Sequence, residues 1–207
     1  MIPVRRRWIF PPFIFALLLL SVAWMHWRPA KRFDFSIPGD DDFRIATWNV
    51  GYFSVVENKN ARDIDLKPIA GIIEEIHADV VILQELGSLK QPEVISQALG
   101  EGWHAYSVET GHGKQVLSII TRDISRGTEE FECGGRKVKA VSLASRSGKS
   151  VYIMGVHSPH PARGVGENIE NIRCAFSHAS NRTEEIRIIA GDMNYNFDPQ
   201  DKENALY

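Results

Sequence analysis

Asp192 and Asn194 stand two positions apart at the end of the mostly apolar run I-R-I-I-A-G, setting a carboxylate beside a carboxamide. A carboxylate in such a place can hold a water molecule and take its proton. A neighbouring amide can donate to an anionic oxygen as charge builds on it. An aspartate that closes a strand and bonds its own backbone explains Asp192 equally well when taken alone. Three further runs repeat the design, however. Arg44–Asn49 (R-I-A-T-W-N) ends in an amide, Val80–Glu85 (V-V-I-L-Q-E) in a carboxylate, and Val151–His157 (V-Y-I-M-G-V-H) in an imidazole. Each buried polar group must find partners, so four such ends in one chain are expected to converge on one site.

The elements that must position these ends follow from periodicity. Each run is short and rich in β-branched residues, which predicts buried strands rather than helices. Gly191 is expected to turn the chain sharply, so that Asp192 and Asn194 project beyond a strand's carboxyl end. Crevices outside such ends are where α/β proteins hold ligands. Pro68 fits the first turn of a helix whose apolar face is Ile69, Ile72, Ile73 and Ile76, leading into the Val80 strand as a β–helix–β unit. A second helix is predicted over Pro92–Leu99, stopped by Gly100, and a third over Glu167–Ala179. Between them lie strand candidates at Trp103–Val108, Gln115–Ile120, Glu129–Cys133, Lys137–Leu143 and Val151–Val156, with Gly134-Gly135 and Ser147-Gly148 as hairpin turns. Helices mixed with antiparallel meanders predict an α+β sandwich of two packed sheets under helices.

Length and charge bound the function. At 207 residues and 43% hydrophobic content the chain suits one globular domain, placed at 43–207 after a polar linker at 29–42. Residues 1–33 carry six basic side chains and no acid against a whole-chain net charge of −2, so the remainder carries −8. An acidic body matches long polyanions poorly. Trp8 to Trp27 is a 20-residue run without charge, flanked by basic clusters and bearing Trp8, Trp24 and Trp27 near its ends. It reads as a single membrane-crossing helix within segment 1–28, with Ser21-Val22-Ala23 leaving a cleavable signal peptide open as the alternative. The domain is expected on the extracytoplasmic side. Cys133 and Cys174, far apart in sequence, read as two isolated buried thiols.

The four strand ends, I-A-T-W-N at Asn49, V-I-L-Q-E at Glu85, M-G-V-H at His157 and G-D-M-N at Asp192 and Asn194, resemble the endonuclease/exonuclease/phosphatase superfamily in order and spacing. This is the fold shared by DNase I-like nucleases, inositol polyphosphate phosphatases and neutral sphingomyelinases. The resemblance implies a four-layer α/β/β/α sandwich and hydrolysis of phosphodiester or phosphomonoester bonds, in nucleic acid or in a phosphorylated lipid or small molecule. It implies Mg²⁺ (or Mn²⁺) held by Glu85, with Asn49 beside it orienting Glu85 or a bound water. It makes Asp192 the base for the attacking water, and Asn194 and His157 donors to phosphoryl oxygens. Family members continue well past this point and close on a Ser-Asp-His, which the chain lacks before Tyr207, so the sequence is expected to be an incomplete product, with a piece supplied by another chain or a damaged enzyme as the alternatives. The rival reading is a catalytically impaired or non-catalytic binding module that keeps the fold. His160 reads as a loop histidine, Gly111-His112-Gly113 as a plain glycine loop, and Arg122 takes no role.

Overall fold

The computed structural model describes residues 39, 42–51, 66–111, 115–123 and 125–195. The chain divides into two units, Met1–Phe35 and Ser36–Tyr207, and the description concerns the second. The expected membrane segment, most of the linker, His112 and Gly113 lie outside the described residues. Among the described residues, no helix is long and apolar enough to cross a membrane.

Pro68 and the isoleucine spacing do build a β–helix–β unit. Strand β1 (Ile45–Asn49), helix α1 (Lys67–Glu75) and strand β2 (Val80–Leu86) follow in order, with β1 parallel to β2 from Ile45 opposite Val80 to Asn49 opposite Gln84. Helix α2 (Lys90–Leu99), β3 (His104–Glu109) and β4 (Val116–Thr121) complete a four-stranded sheet of order β1-β2-β4-β3. The two hairpin turns then link β5 (Gly127–Cys133), β6 (Arg136–Ala144) and β7 (Ser150–His157). Helix α3 (Val165–Ser180) crosses over to β8 (Ile186–Asp192), giving a second sheet of order β5-β6-β7-β8 in which β7 and β8 are parallel. Each sheet thus contains one parallel pair joined through a helix.

Period-two alternation sorts the side chains into layers. Val80 and Ile82 of β2 pack with Val141, Leu143, Val151 and Ile153 between the sheets, while Val81 and Leu83 pack under α1 and α2 with Ile69, Ile73 and Ile95. On the far side Tyr152, Met154 and Val156 meet Ala175 and Ala179 of α3. The layers run helix, sheet, sheet, helix, as expected. Gly155 has a specific duty in the middle layer: a Cβ there would stand 3.2 Å from Ile82 Cγ2 and 3.3 Å from Leu117 Cδ1. A side chain would wedge the sheets apart just below the β7 carboxyl end.

Three expectations need correction. Gly191 makes no turn; β8 runs through it to Asp192, and the break comes later, at Asn194 with φ 47°. Ile72 is 41% exposed rather than part of the buried face, because α1 is only nine residues long and buries Ile69, Ala70 and Ile73. Cys133 and Cys174 are not isolated thiols but a disulfide, with Cα atoms 5.4 Å apart. The β5–β6 turn packs directly on α3, so a separation of 41 residues in sequence collapses in space.

One ion pair on the second sheet gives a pH dependence. The Arg182 guanidinium beside Glu184, 3.0 Å away, with help from the Ser142 hydroxyl at 2.7 Å, holds the Glu184 carboxyl down from 4.5 to about 2. A depressed carboxyl contributes its full stabilisation above 4.5 and loses it as pH falls toward about 2. Urea midpoints measured across that window are expected to fall, and Glu184→Gln to flatten part of the fall. An unchanged slope in the variant would remove Glu184 from the account.

Candidate active site

Two parallel strand pairs, one per sheet, bring their carboxyl ends to the same edge of the sandwich. In the first sheet Asn49 closes β1 and Glu85 lies near the end of β2; in the second His157 closes β7 and Asp192 closes β8, directly opposite each other in the ladder. Contacts then cross between sheets. Asn49 Nδ2 donates to Asp192 Oδ2 at 2.7 Å, and His157 Nε2 lies 3.5 Å from Glu85 Oε1. One ligand atom each from Glu85, His157 and Asp192 falls within 4.8 Å of the others.

Glu85 reaches this place by a break in its strand. Leu83 faces the helices, so strict alternation would send Glu85 the same way. Instead the β2–β4 register shifts between Leu83 and Leu86, and Glu85 adopts φ 62°. One extra residue in a bulge re-aims a side chain, and a non-glycine residue holds positive φ only where its surroundings enforce it. Here the result is a carboxylate turned across the seam to His157. Gln84 is fixed meanwhile, its Nε2 donating to Thr47 Oγ1 at 3.0 Å and to the Ile82 carbonyl at 2.9 Å.

Asp192 is aimed from two sides, by Asn49 Nδ2 on Oδ2 and by the Asn194 backbone N–H on Oδ1 at 2.9 Å. The Asn49 side-chain Oδ1 accepts from Gly51 N at 2.9 Å, so both ends of this amide are engaged, its Nδ2 by Asp192. Asn194 Nδ2 donates to the Ser158 carbonyl at 2.8 Å, tying the segment after β8 to the segment after β7. His157 is 3% exposed, and burial, then the charge of Arg136, push its imidazole below the ordinary histidine value against the pull of Asp192 and Glu85. It is therefore neutral near pH 7. A cavity of about 610 Å³ opens beside the group, lined by His160, Pro161, Gly191, Asp192, Met193, Asn194 and Tyr195.

All five residues singled out in the sequence thus meet at one edge. The model of the endonuclease/exonuclease/phosphatase family matches residues 46–206, spanning every one of them. The chain belongs to this family. Among solved structures it is similar to D. rerio TDP2 humanized by 14 mutations, at 19% identity and TM-score 0.60, covering 75% of this chain and 67% of that one. A complex of D. rerio TDP2 with single-strand DNA product matches at 19% identity and TM-score 0.59, covering 74% and 61%. The mannosyl-6-phosphatase Bt3783 of Bacteroides thetaiotaomicron matches at 16% identity and TM-score 0.57, covering 74% and 66%. The chain spans about two thirds of the length of these structures. No curated protein matches it.

Sequence reasoning missed several neighbours. His160, by default a loop histidine in the sequence though able to line the cleft, does line the cavity and accepts from Ala162 N through Nδ1 at 3.1 Å. Arg136 is buried and acts on His157 through its charge. Asn168 and Asn171 are fully buried on α3, on the face shared with Ile172, Ala175 and Ala179. Their signal was present: two amides three apart on an otherwise apolar helix face. Arg122, given no role, lies 5.3 Å over the Trp103 ring, away from these contacts.

Proposed function

We propose that this protein is a divalent-metal-dependent phosphoesterase. The observation carrying the reading is the group of Glu85, His157 and Asp192, with ligand atoms within 4.8 Å of one another, Asp192 also lining the cavity formed by the segments after β7 and β8. Two carboxylates this close repel unless a cation lies between them, and a neutral imidazole adds no charge of its own. Oxygen-rich donors of this kind fit a hard cation such as Mg²⁺ or Mn²⁺. When bound, such an ion supplies positive charge to the phosphoryl group and to the departing oxygen.

The chain's own residues do the rest. Glu85 and Asp192 hold the site, and Asn49 and the Asn194 amide keep Asp192 aimed before substrate arrives. Asp192 takes the proton of the attacking water as its oxygen closes on phosphorus and the ester oxygen leaves. Asn194 donates to a non-bridging oxygen as charge accumulates there. His157, neutral and buried behind Glu85, is suited to align that carboxylate and to donate a hydrogen bond into the site.

Similarity to a DNA-product complex and to a mannosyl-6-phosphatase supports phosphate esters on either a nucleic acid or a small carrier. The net charge of −8 on residues 34–207 favours short or lipid-borne esters over long polyanions. The uncharged run Trp8–Trp27 supports a tethered domain, and the signal-like layout around it an extracytoplasmic one, which carbonate extraction and protease protection of the expressed full chain would check.

The deciding experiment is removal and return of metal. Full-length protein treated with EDTA is expected to lose turnover of bis(p-nitrophenyl) phosphate and p-nitrophenyl phosphate. Millimolar Mg²⁺ or Mn²⁺ should restore the preferred ester by about 100-fold or more. Turnover that persists in EDTA, or none with either ester and either metal, would sink the reading.

A further inference from the structure

We propose that Asn168, on the crossover helix, is a positioning residue for the catalytic segment. The inference rests on the phosphoesterase reading and adds a residue to it. Asn168 is 0% exposed, and its single Nδ2 group donates to two carbonyls, Pro159 O and Met193 O, both at 2.8 Å. Pro159 follows β7 and Met193 follows β8, so one amino group ties together the two segments that leave the parallel pair. Met193 is also the residue between Asp192 and Asn194. Its carbonyl therefore fixes the peptide plane on which the water-activating carboxylate and its neighbouring donor both depend.

The surroundings argue against a simple packing role. Asn194 holds φ 47°, a conformation that persists only when neighbours enforce it. Asn168 Oδ1 is buried and finds no hydrogen-bond partner among the described residues. A helix face that otherwise buries Ile172, Ala175 and Ala179 gains little stability from an amide satisfied at one end only. What the amide does achieve is registry between two loops. One turn further along α3, Asn171 supports the arrangement: its Nδ2 donates to Cys133 O, and its Oδ1 accepts from Ser158 Oγ, each at 2.6 Å. Ser158 in turn receives Asn194 Nδ2 on its carbonyl.

The test compares Asn168→Ala and the isosteric Asn168→Asp with wild type and with Ile172→Val, a buried apolar change on the same helix that removes no hydrogen bond. Steady-state kinetics with Mg²⁺ are expected to show kcat reduced about 10- to 100-fold in both Asn168 variants, with KM and the Mg²⁺ midpoint within about threefold. Ile172→Val should keep kcat. Amide exchange followed by NMR gives a readout independent of turnover: the Asn194 N–H, bonded to Asp192 Oδ1, is expected to exchange about tenfold faster in Asn168→Ala while Ile153 is unchanged. Unchanged kcat with unchanged Asn194 exchange would overturn the proposal. So would a kcat loss no larger than the unfolded fraction accounts for. If wild type itself turns over no ester, the phosphoesterase reading has failed, and the exchange measurement alone decides Asn168. Asn168→Ser, keeping one donor, replaces Asn168→Ala should that variant not fold.

Discussion

Glu85→Ala is expected to lower metal-dependent turnover by about 10³-fold while leaving the fold intact. The carboxylate is the one group brought from the first sheet into the Glu85, His157 and Asp192 cluster. Its side chain is 22% exposed and packs in no apolar layer, so its loss opens no core cavity. The backbone makes the claim sharper. Because Glu85 sits at φ 62°, any L side chain there is strained, by roughly 1–2 kcal/mol. Glu85→Gly removes that strain but adds chain entropy to the unfolded state, roughly 0.5–1 kcal/mol in the other direction. The glycine variant should therefore be as stable as the alanine variant or more so, and equally inactive. Kinetics alongside urea unfolding check both halves. An active Glu85→Ala protein would remove Glu85 from catalysis, and a glycine variant markedly less stable than alanine would contradict the backbone argument.

Gly191→Ala is expected to be the most damaging added methyl group among the described glycines. A Cβ at this position would lie 1.9 Å from the Val156 carbonyl oxygen and within 3.0 Å of the Val156 nitrogen, with the backbone at φ 142°. These are main-chain atoms in the ladder between β7 and β8, so neither strand can move aside without breaking the pairing of Val156 with Gly191. Effects beyond about 4–5 kcal/mol are rare and need a mechanism of this kind. The expected outcome is a loss on that scale, or no folded protein. Gly166→Ala supplies the contrast: it lies in the first turns of α3 with nothing within 4 Å of its Cβ, and should be neutral or stabilising by roughly 0.5–1 kcal/mol. Equal stability of the two variants in urea would refute the close-approach argument.

Much of this was legible in the sequence for a physical reason. Strands β2 and β7, buried on both faces, leave continuous apolar runs, so Glu85 and His157 stood out against them, whereas β1 and β8, expected to be buried, lie half-exposed at the sheet edges. What escaped was set by tertiary contact. Alternation alone sends Glu85 toward the helices with Leu83, and only the bulge opposite β4 reverses it. Gly191 signalled special backbone, but a turn and a close strand approach have the same one-letter code. The Cys133–Cys174 bond depended on α3 lying against the β5–β6 turn, which sequence separation conceals. Asn49 was expected beside the metal, orienting Glu85 or a bound water; its bond to Asp192 was hidden because it depends on which strands stack across the seam.

The bond from Asn49 to Asp192 joins side chains 143 positions apart, one from each sheet. On the proposed reading, neither half of the polypeptide can assemble the reactive centre by itself, so a partly folded chain would have no hydrolytic reactivity to misdirect. The reverse also holds. An ion captured there fastens the two sheets like a rivet, and thermal melts should climb with the logarithm of its concentration once it exceeds the dissociation constant.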